Sequence, residues 1–266
     1  EYAVNGQNNG PVAPTNTSVK RQSAYGSDTI RSTPLESGFA FVQRSGKSVF
    51  FYGYDYTIDG FDGDDTSDLN NEITEDGVTS LSFEQDPYQH LYCVTGDNIA
   101  VLCMDRKQEV VGWSKILGAG GTQFKAVATI PIDGTDQTWC MAYLNGKYVV
   151  QYFDYEANFD GTVNISSTQD TTWSGLDNLA NSTVDVLLDG QPIFGLAVDN
   201  SGNLVTPYAG DELQAGYFFE SEAELLPVEQ LVEGSMVGRQ ASVSKVYINV
   251  LDTQCLTVGG EDGNQD

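Results

Sequence analysis

Positive charge is scarce in this chain: 12 Lys and Arg stand against 38 Asp and Glu in 266 residues, a formal balance of −26, and His90 is the only histidine. A field of that sign repels phosphates and anionic lipid surfaces, which excludes nucleic-acid binding through a basic groove. No stretch approaches the roughly 18–20 consecutive apolar residues that span a bilayer; Ile99 to Met104 gives only six in a row. The first ten residues lack the basic and apolar regions of a signal peptide, and no initiator Met is present, so the chain reads as a piece of a longer protein. Cys93, Cys103, Cys140 and Cys255 form no C-x-x-C pair and have no His at metal-ligand spacing, which argues against zinc. Each lies in an apolar run where a thiol serves as a small buried hydrophobe. Three N-x-S/T sequons, at Asn16, Asn164 and Asn181, carry no weight without a secretory context.

What the chain has in quantity is glycine, 28 residues, with 14 Tyr, 12 Phe and many β-branched residues. That composition fits an all-β protein with many turns. Three segments repeat at a spacing near fifty residues: Phe41 to Asp55, Tyr92 to Asp105, and Met141 to Asp154, with Gly46, Gly96 and Gly146 in register. In each, an apolar strand enters a polar-Gly turn (Ser45-Gly46, Thr95-Gly96, Asn145-Gly146) and leaves as a β-branched and aromatic strand ending at Asp. Glycine tolerates the positive φ of tight hairpin turns, so these are hairpins. The second copy extends to four strands, 78–85, 90–94, 99–104 and 110–117, and the third begins with 124–130, 139–144 and 148–155. A four-stranded antiparallel unit every 40–50 residues predicts propeller-like blades, with a β-sandwich as the competing closure.

The domain order predicted is an extended lead-in (1–22), propeller-like blades (23–156), a small inserted β module (157–215) and a returning segment with a final strand (216–266). Polar residues 156–172 mark the boundary before the module. Within it, strands at 184–188, 193–198 and 204–205 are joined by an Asp189-Gly190 turn and by Asp199 to Gly202, and 208–214 links onward. Residues 241–250 alternate with their apolar weight on one face and read as the last strand.

Little in the sequence carries chemistry. A nucleophile would need His90 as its base, yet His90 follows Asp86-Pro87-Tyr88-Gln89 and reads as an exposed turn residue; no G-x-S-x-G elbow occurs. The acidic run Asp59, Asp62, Asp64, Asp65 and Asp68 raises calcium as a weak candidate. Counting from Asp62, however, an EF-hand-type loop would place Gly where Ser67 stands and Glu where Ile73 stands. Trp113, Trp139, Trp173 and the Tyr-rich stretch Phe50 to Tyr56 could stack sugars if exposed, but their strand patterns favour the core. No phosphate-binding glycine loop opens a helix, and no cofactor is expected.

Several ordered segments resemble the tail nozzle proteins of short-tailed bacteriophages, also called tail tubular protein B or stabilisation proteins. They are Gln22-Ser-Ala-Tyr-Gly-Ser27; Phe41-Val-Gln43-Arg44-Ser-Gly46-Lys47 leading to Tyr54-Asp55-Tyr56 and Asp59-Gly60; and Arg106 through Gly112-Trp113. Then come Ser174-Gly175-Leu176-Asp177 with Leu179; Val184 through Asp189-Gly190; Glu220-Ser221; Leu226-Pro-Val-Glu229; and Gly238-Arg239. Where that family shows Leu-Glu-Gly after Gly-Leu-Asp, this chain has Leu179-Ala180-Asn181. The resemblance implies a non-enzymatic virion protein, assembled in the host bacterial cytoplasm as a homohexameric tube in the tail. It would join a tail adaptor or connector ring, contact tail fibres or spikes, and pass genomic DNA without sequence-specific binding. A carboxylate-lined wall offers a sliding duplex no counterion-releasing contacts. The alternative from another class is a carbohydrate-binding or glycan-active β-propeller.

Overall fold

The computed structural model describes residues 1–6, 10–35, 38–105, 110–224, 245–250 and 256–259. The regular structure is nearly all β, in several antiparallel sheets, none of them closed, in keeping with an all-β fold of blade-like sheets. Two units are distinguished, residues 1–220 and 221–266. In the second, the described residues carry no helix or multi-residue strand. The strand predicted at 241–250 is therefore absent from 245–250, where the Lys245 ammonium instead lies 4.7 Å from the Tyr247 ring centroid; residues 241–244 lie outside the described residues.

The first unit opens with a hairpin, β1 (Tyr2–Gly6) against β2 (Thr17–Arg21), where an extended lead-in was predicted. Two four-stranded meanders follow. The first sheet is β3 (Thr33–Leu35), β4 (Gly38–Val42), β5 (Val49–Asp55) and β6 (Gly60–Asp65). The second is β7 (Val78–Glu84), β8 (His90–Thr95), β9 (Asn98–Asp105) and β10 (Val110–Ile116). A third, three-stranded sheet comprises β11 (Gln123–Ile132), β12 (Thr135–Leu144) and β13 (Lys147–Tyr152). The last contains β14 (Asp160–Ser174), β15 (Thr183–Leu188), β16 (Gln191–Ala197) and β17 (Asn203–Tyr217), in the order β14-β17-β15-β16.

The turns explain why these meanders form. Asp133-Gly134, Asn145-Gly146 and Asp189-Gly190 each place two residues at positive φ (52° and 93°, 50° and 77°, 48° and 75°) between directly paired strand ends. This is the type I′ geometry, whose twist matches that of the flanking strands. In the second sheet Thr95 pairs with Asn98, so the turn is Gly96-Asp97, one residue beyond the prediction. In the first, Gly46 (φ 76°) sits in a six-residue connection closed by Gln43 N–H donating to Ser48 O at 2.8 Å.

Alternation along the strands gives each sheet two faces, and the first three sheets pack in sequence. Leu35, Ala40, Val42, Val49 and Phe51 of the first meet Val78, Leu91, Cys93, Ala100 and Leu102 of the second. The other face of the second sheet, Tyr92, Val94, Ile99 and Val101, meets Phe124, Val127, Cys140 and Ala142 of the third. Leu144 and Val149 carry the third sheet into the core of the fourth, around Trp173, Leu176, Leu179, Val186, Leu188 and Leu204. Full burial of each such side chain is worth about 1.5–3 kcal/mol. The turn residue Asn145 seals this junction: its Nδ2 donates to Tyr217 Oη (2.8 Å), Ser182 Oγ (3.0 Å) and Asn178 O (3.1 Å). The opposite face of the third sheet is open, with Trp139 opposite Tyr152, Met141 opposite Val150 and Tyr143 opposite Tyr148.

Two corrections concern polar sequence. The segment 156–172, predicted as a boundary, contains most of β14, a fifteen-residue strand. The short strand at 204–205 and the link 208–214 are one continuous β17, its partner. Serine, threonine and aspartate dominate β14 because most of its length is exposed, with Trp173 alone fully buried. Backbone pairing to β17 holds it rather than an apolar face.

Candidate functional site

The residues singled out from the sequence occupy joints of the framework. Phe41 is buried in an aromatic cluster with Phe50 and Tyr52. Gln43 Nε2 donates to Tyr25 O (3.4 Å), and Arg44, exposed, donates its N–H to Gly26 O (3.1 Å). Gly46 O accepts from Val78 N–H at 2.8 Å, joining the first sheet to the second. Tyr54 Oη donates to Asp59, and Asp55 accepts from Thr57 N–H (2.7 Å) and Oγ1 (2.6 Å), bonds that hold the Asp55 carboxyl below its usual range. Gly112 lies on the edge strand β10. Beside it, Trp113 Nε1 donates to Thr66 O at 2.7 Å and its ring packs on the first seam. Gly175 turns at φ 99°, Leu176 is fully buried and Asp177 begins a short 3-10 turn, Asp177–Leu179. Asp189 accepts from Asp211 N–H (3.0 Å) and Glu212 N–H (2.8 Å), tying the Gly190 turn to β17. Arg106, Leu226 to Glu229, Gly238, Arg239 and Cys255 lie outside the described residues.

The calcium candidate is not assembled. Three members of the acidic run lie on strand β6, whose alternation puts Asp62 and Asp64 on one face and Asp65 on the other, while Asp59 and Asp68 fall outside it. Asp59 accepts from Tyr54, Asp62 from Tyr25 Oη (3.2 Å), a hydroxyl that Asp64 also faces, and Asp65 from Ser67 N–H (2.9 Å). Among the described residues no group of three or more His, Cys, Asp or Glu converges as a metal site. Of the tryptophans, Trp173 lies in the core of the fourth sheet, Trp113 is half-buried against the seam of the first and second sheets, and Trp139 is half-buried on the open face 5.2 Å from the Tyr152 ring, outside any core cluster. Cys93 and Cys140 are buried as predicted, and burial pushes the Cys140 thiol up to about 12; Cys103 is half-buried.

His90 is the larger correction. It opens β8, half-buried, and stacks on Tyr88 with ring centroids 5.6 Å apart and planes 12° from parallel. Beneath it lies Glu84, only 2% exposed. Tyr92 Oη (2.8 Å) and Thr138 Oγ1 (3.3 Å) donate to Glu84 Oε2, and Tyr155 Oη (3.4 Å) donates to Oε1. Donors continue along the seam: Ser82 Oγ to Thr129 Oγ1 (2.9 Å), Thr129 Oγ1 beside Thr138 Oγ1 (2.9 Å), and Ser80 Oγ to Val127 O (3.3 Å). Ser80, Ser82 and Glu84 share one face of β7 by alternation, so this polar row crosses between the second and third sheets. No basic residue bonds to Glu84 among the described residues; hydroxyl donors alone compensate the buried carboxylate. Burial raises the Tyr92 and Tyr155 hydroxyls and lowers His90, with Glu84 partly opposing the His90 shift.

Beyond Tyr155 the chain enters a groove of about 380 Å³ on the fourth sheet. Register places Asn164 opposite Gln214 and Ser166 opposite Glu212 on one face, with Leu187 beside Gln214. Asp154 and Glu156, the neighbours of Tyr155, close one side. Gln214 Oε1 accepts from Asn158 N–H and Nδ2, both at 2.9 Å, which fixes the amide. No local pattern foretold this groove, because its walls come from β14, β15, β17 and the segment after β13. The buried Glu84 was equally hidden; its only sequence trace is the polar-apolar alternation of β7.

No protein-family model matches the sequence, and no curated protein matches it.

Proposed function

We propose that this chain is a structural virion protein, a subunit of the hexameric tail nozzle that retains the genome of a short-tailed bacteriophage and then conducts it into the host. The observation that carries this reading is where the resembling motifs sit. Gly46, Trp113, Leu176 and the Asp189-Gly190 turn each join one strand or sheet to another, so the likeness is one of framework rather than of a transplanted active site.

Charge adds support. The net balance of −26 is left after every Lys and Arg has been counted, and among the described residues only one carboxylate, Asp97, is ion-paired, with Lys125. A tube wall with that character repels a passing duplex instead of binding it, which favours sliding. Partners under this reading are further copies of the chain, a connector ring, tail fibres or spikes, and DNA in transit. No helix among the described residues is long and apolar enough to cross a membrane.

Immunogold labelling of phage particles with antibody against this chain tests the proposal. Label at the tail tip is expected. Unlabelled particles with free antigen in the medium would overturn it.

A further inference from the structure

We infer that the groove on the fourth sheet is a binding site for a neutral saccharide, independently of whether the chain is a nozzle subunit. Its volume of about 380 Å³ lies at the lower end of small-molecule clefts, about 300–1,000 Å³, and suits a mono- or disaccharide. The polar wall mixes acceptors and donors: the carboxylates of Asp154, Glu156 and Glu212 with the amides of Asn164 and Gln214. Carboxylate and primary amide oxygens take hydroxyl protons, and the amide N–H groups answer the hydroxyl lone pairs, so adjacent hydroxyls can be held in pairs. Asn164 and Glu212 spend no side-chain hydrogen bond on a described protein partner, and Gln214 is oriented through its Oε1, which leaves its NH₂ uncommitted. Leu187 supplies an apolar backing for the C–H face of a ring.

The same chemistry rejects the other ligand classes. No base lines the groove, so an anion would meet three carboxylates inside a field of formal charge −26. A metal ion needs its ligands to converge on a point, and the described residues hold no such cluster. Carboxylates spread along a cleft match the spread hydroxyls of a sugar instead.

The test is saturation-transfer NMR on the full chain with maltose, lactose and diacetylchitobiose, each at about 10 mM, with glucuronic acid as the anionic comparison and spermidine as the cationic one. At least one neutral disaccharide is expected to receive saturation, glucuronic acid not to, and the Asn164→Ala/Glu212→Gln variant to weaken the response about tenfold. Both positions are exposed, so the variant keeps its fold; Asp133→Ala, far from the groove in sequence and in a different sheet, is expected to bind like the parent. Silence toward all three disaccharides, a response unchanged by the double variant, or displacement of the sugar signal by glucuronic acid or spermidine alone at equal concentration would overturn the inference.

Discussion

The two seams between the first three sheets are built on different principles. The seam between the first and second sheets is filled by aliphatic and aromatic side chains, with Leu91, Leu102, Val49 and Cys93 almost completely excluded from water. The seam between the second and third is apolar along Val94, Ile99 and Ala142, but polar where Ser80, Ser82 and Glu84 meet Thr129 and Thr138. Apolar contact is strong but carries no direction, so it tolerates small slips of one sheet over another. A row of half-buried hydroxyls ending in the buried Thr138 and Glu84 is satisfied in only one register, because each displaced donor would be left without its partner. The first seam therefore supplies cohesion and the second supplies alignment.

The largest effect is expected at the apolar seam. Leu91→Ala should lower unfolding free energy by about 3 kcal/mol, through lost transfer energy and a cavity, read from chemical denaturation. A loss below about 1 kcal/mol would mean the seam collapses freely and is less closely packed than described. Next comes Glu84→Ala, expected to cost about 2 kcal/mol because the Tyr92 and Thr138 hydroxyls lose their acceptor. Glu84→Gln keeps one acceptor oxygen and should cost less than half as much. If Glu84→Leu instead raises stability, the polar row serves alignment at a net cost, as buried ionic groups can elsewhere. Trp113→Phe, which removes the bond to Thr66 O but keeps most of the packing, should cost about 1 kcal/mol. The smallest effect concerns acidity. Burial lowers the folded-state pKa of His90 below its ordinary value of about 6.5, so the unfolded chain takes up the proton first. The stability that neutral His90 contributes is complete above about pH 6.5 and is lost as pH falls through the lowered folded value. Melting temperatures at pH 7 and pH 5 should diverge more in the parent than in His90→Phe, and equal divergence would remove His90 from the polar seam's titration.

How far the sequence foretold this structure depended on whether the signal was local. The Asp-Gly and Asn-Gly turns and the alternating strands of the second and third sheets are short-range patterns, and they emerged nearly as predicted. β14 escaped because Ser, Thr and Asp on a mostly exposed strand look like a linker; what makes it a strand is β17, more than thirty residues later, through the pairs Trp173 with Leu204 and Asn164 with Gln214. His90 was misplaced because the residues around it, Glu84 and Tyr155, come from both sides in sequence. The groove was invisible for the same reason in stronger form, since four separate segments meet there.

The hairpin turns of the third sheet differ in a way that bears on engineering the molecule. Both glycines have open space where a side chain would project, but Asn145 is clasped by Tyr217, Ser182 and Asn178, whereas the Asp133 side chain holds no described partner. Turns of the second kind accept inserted sequence most readily. A short epitope or fluorophore tag placed between Asp133 and Gly134 should therefore report on the protein without unseating a sheet, while the same tag at Asn145 would prise the third sheet from the fourth.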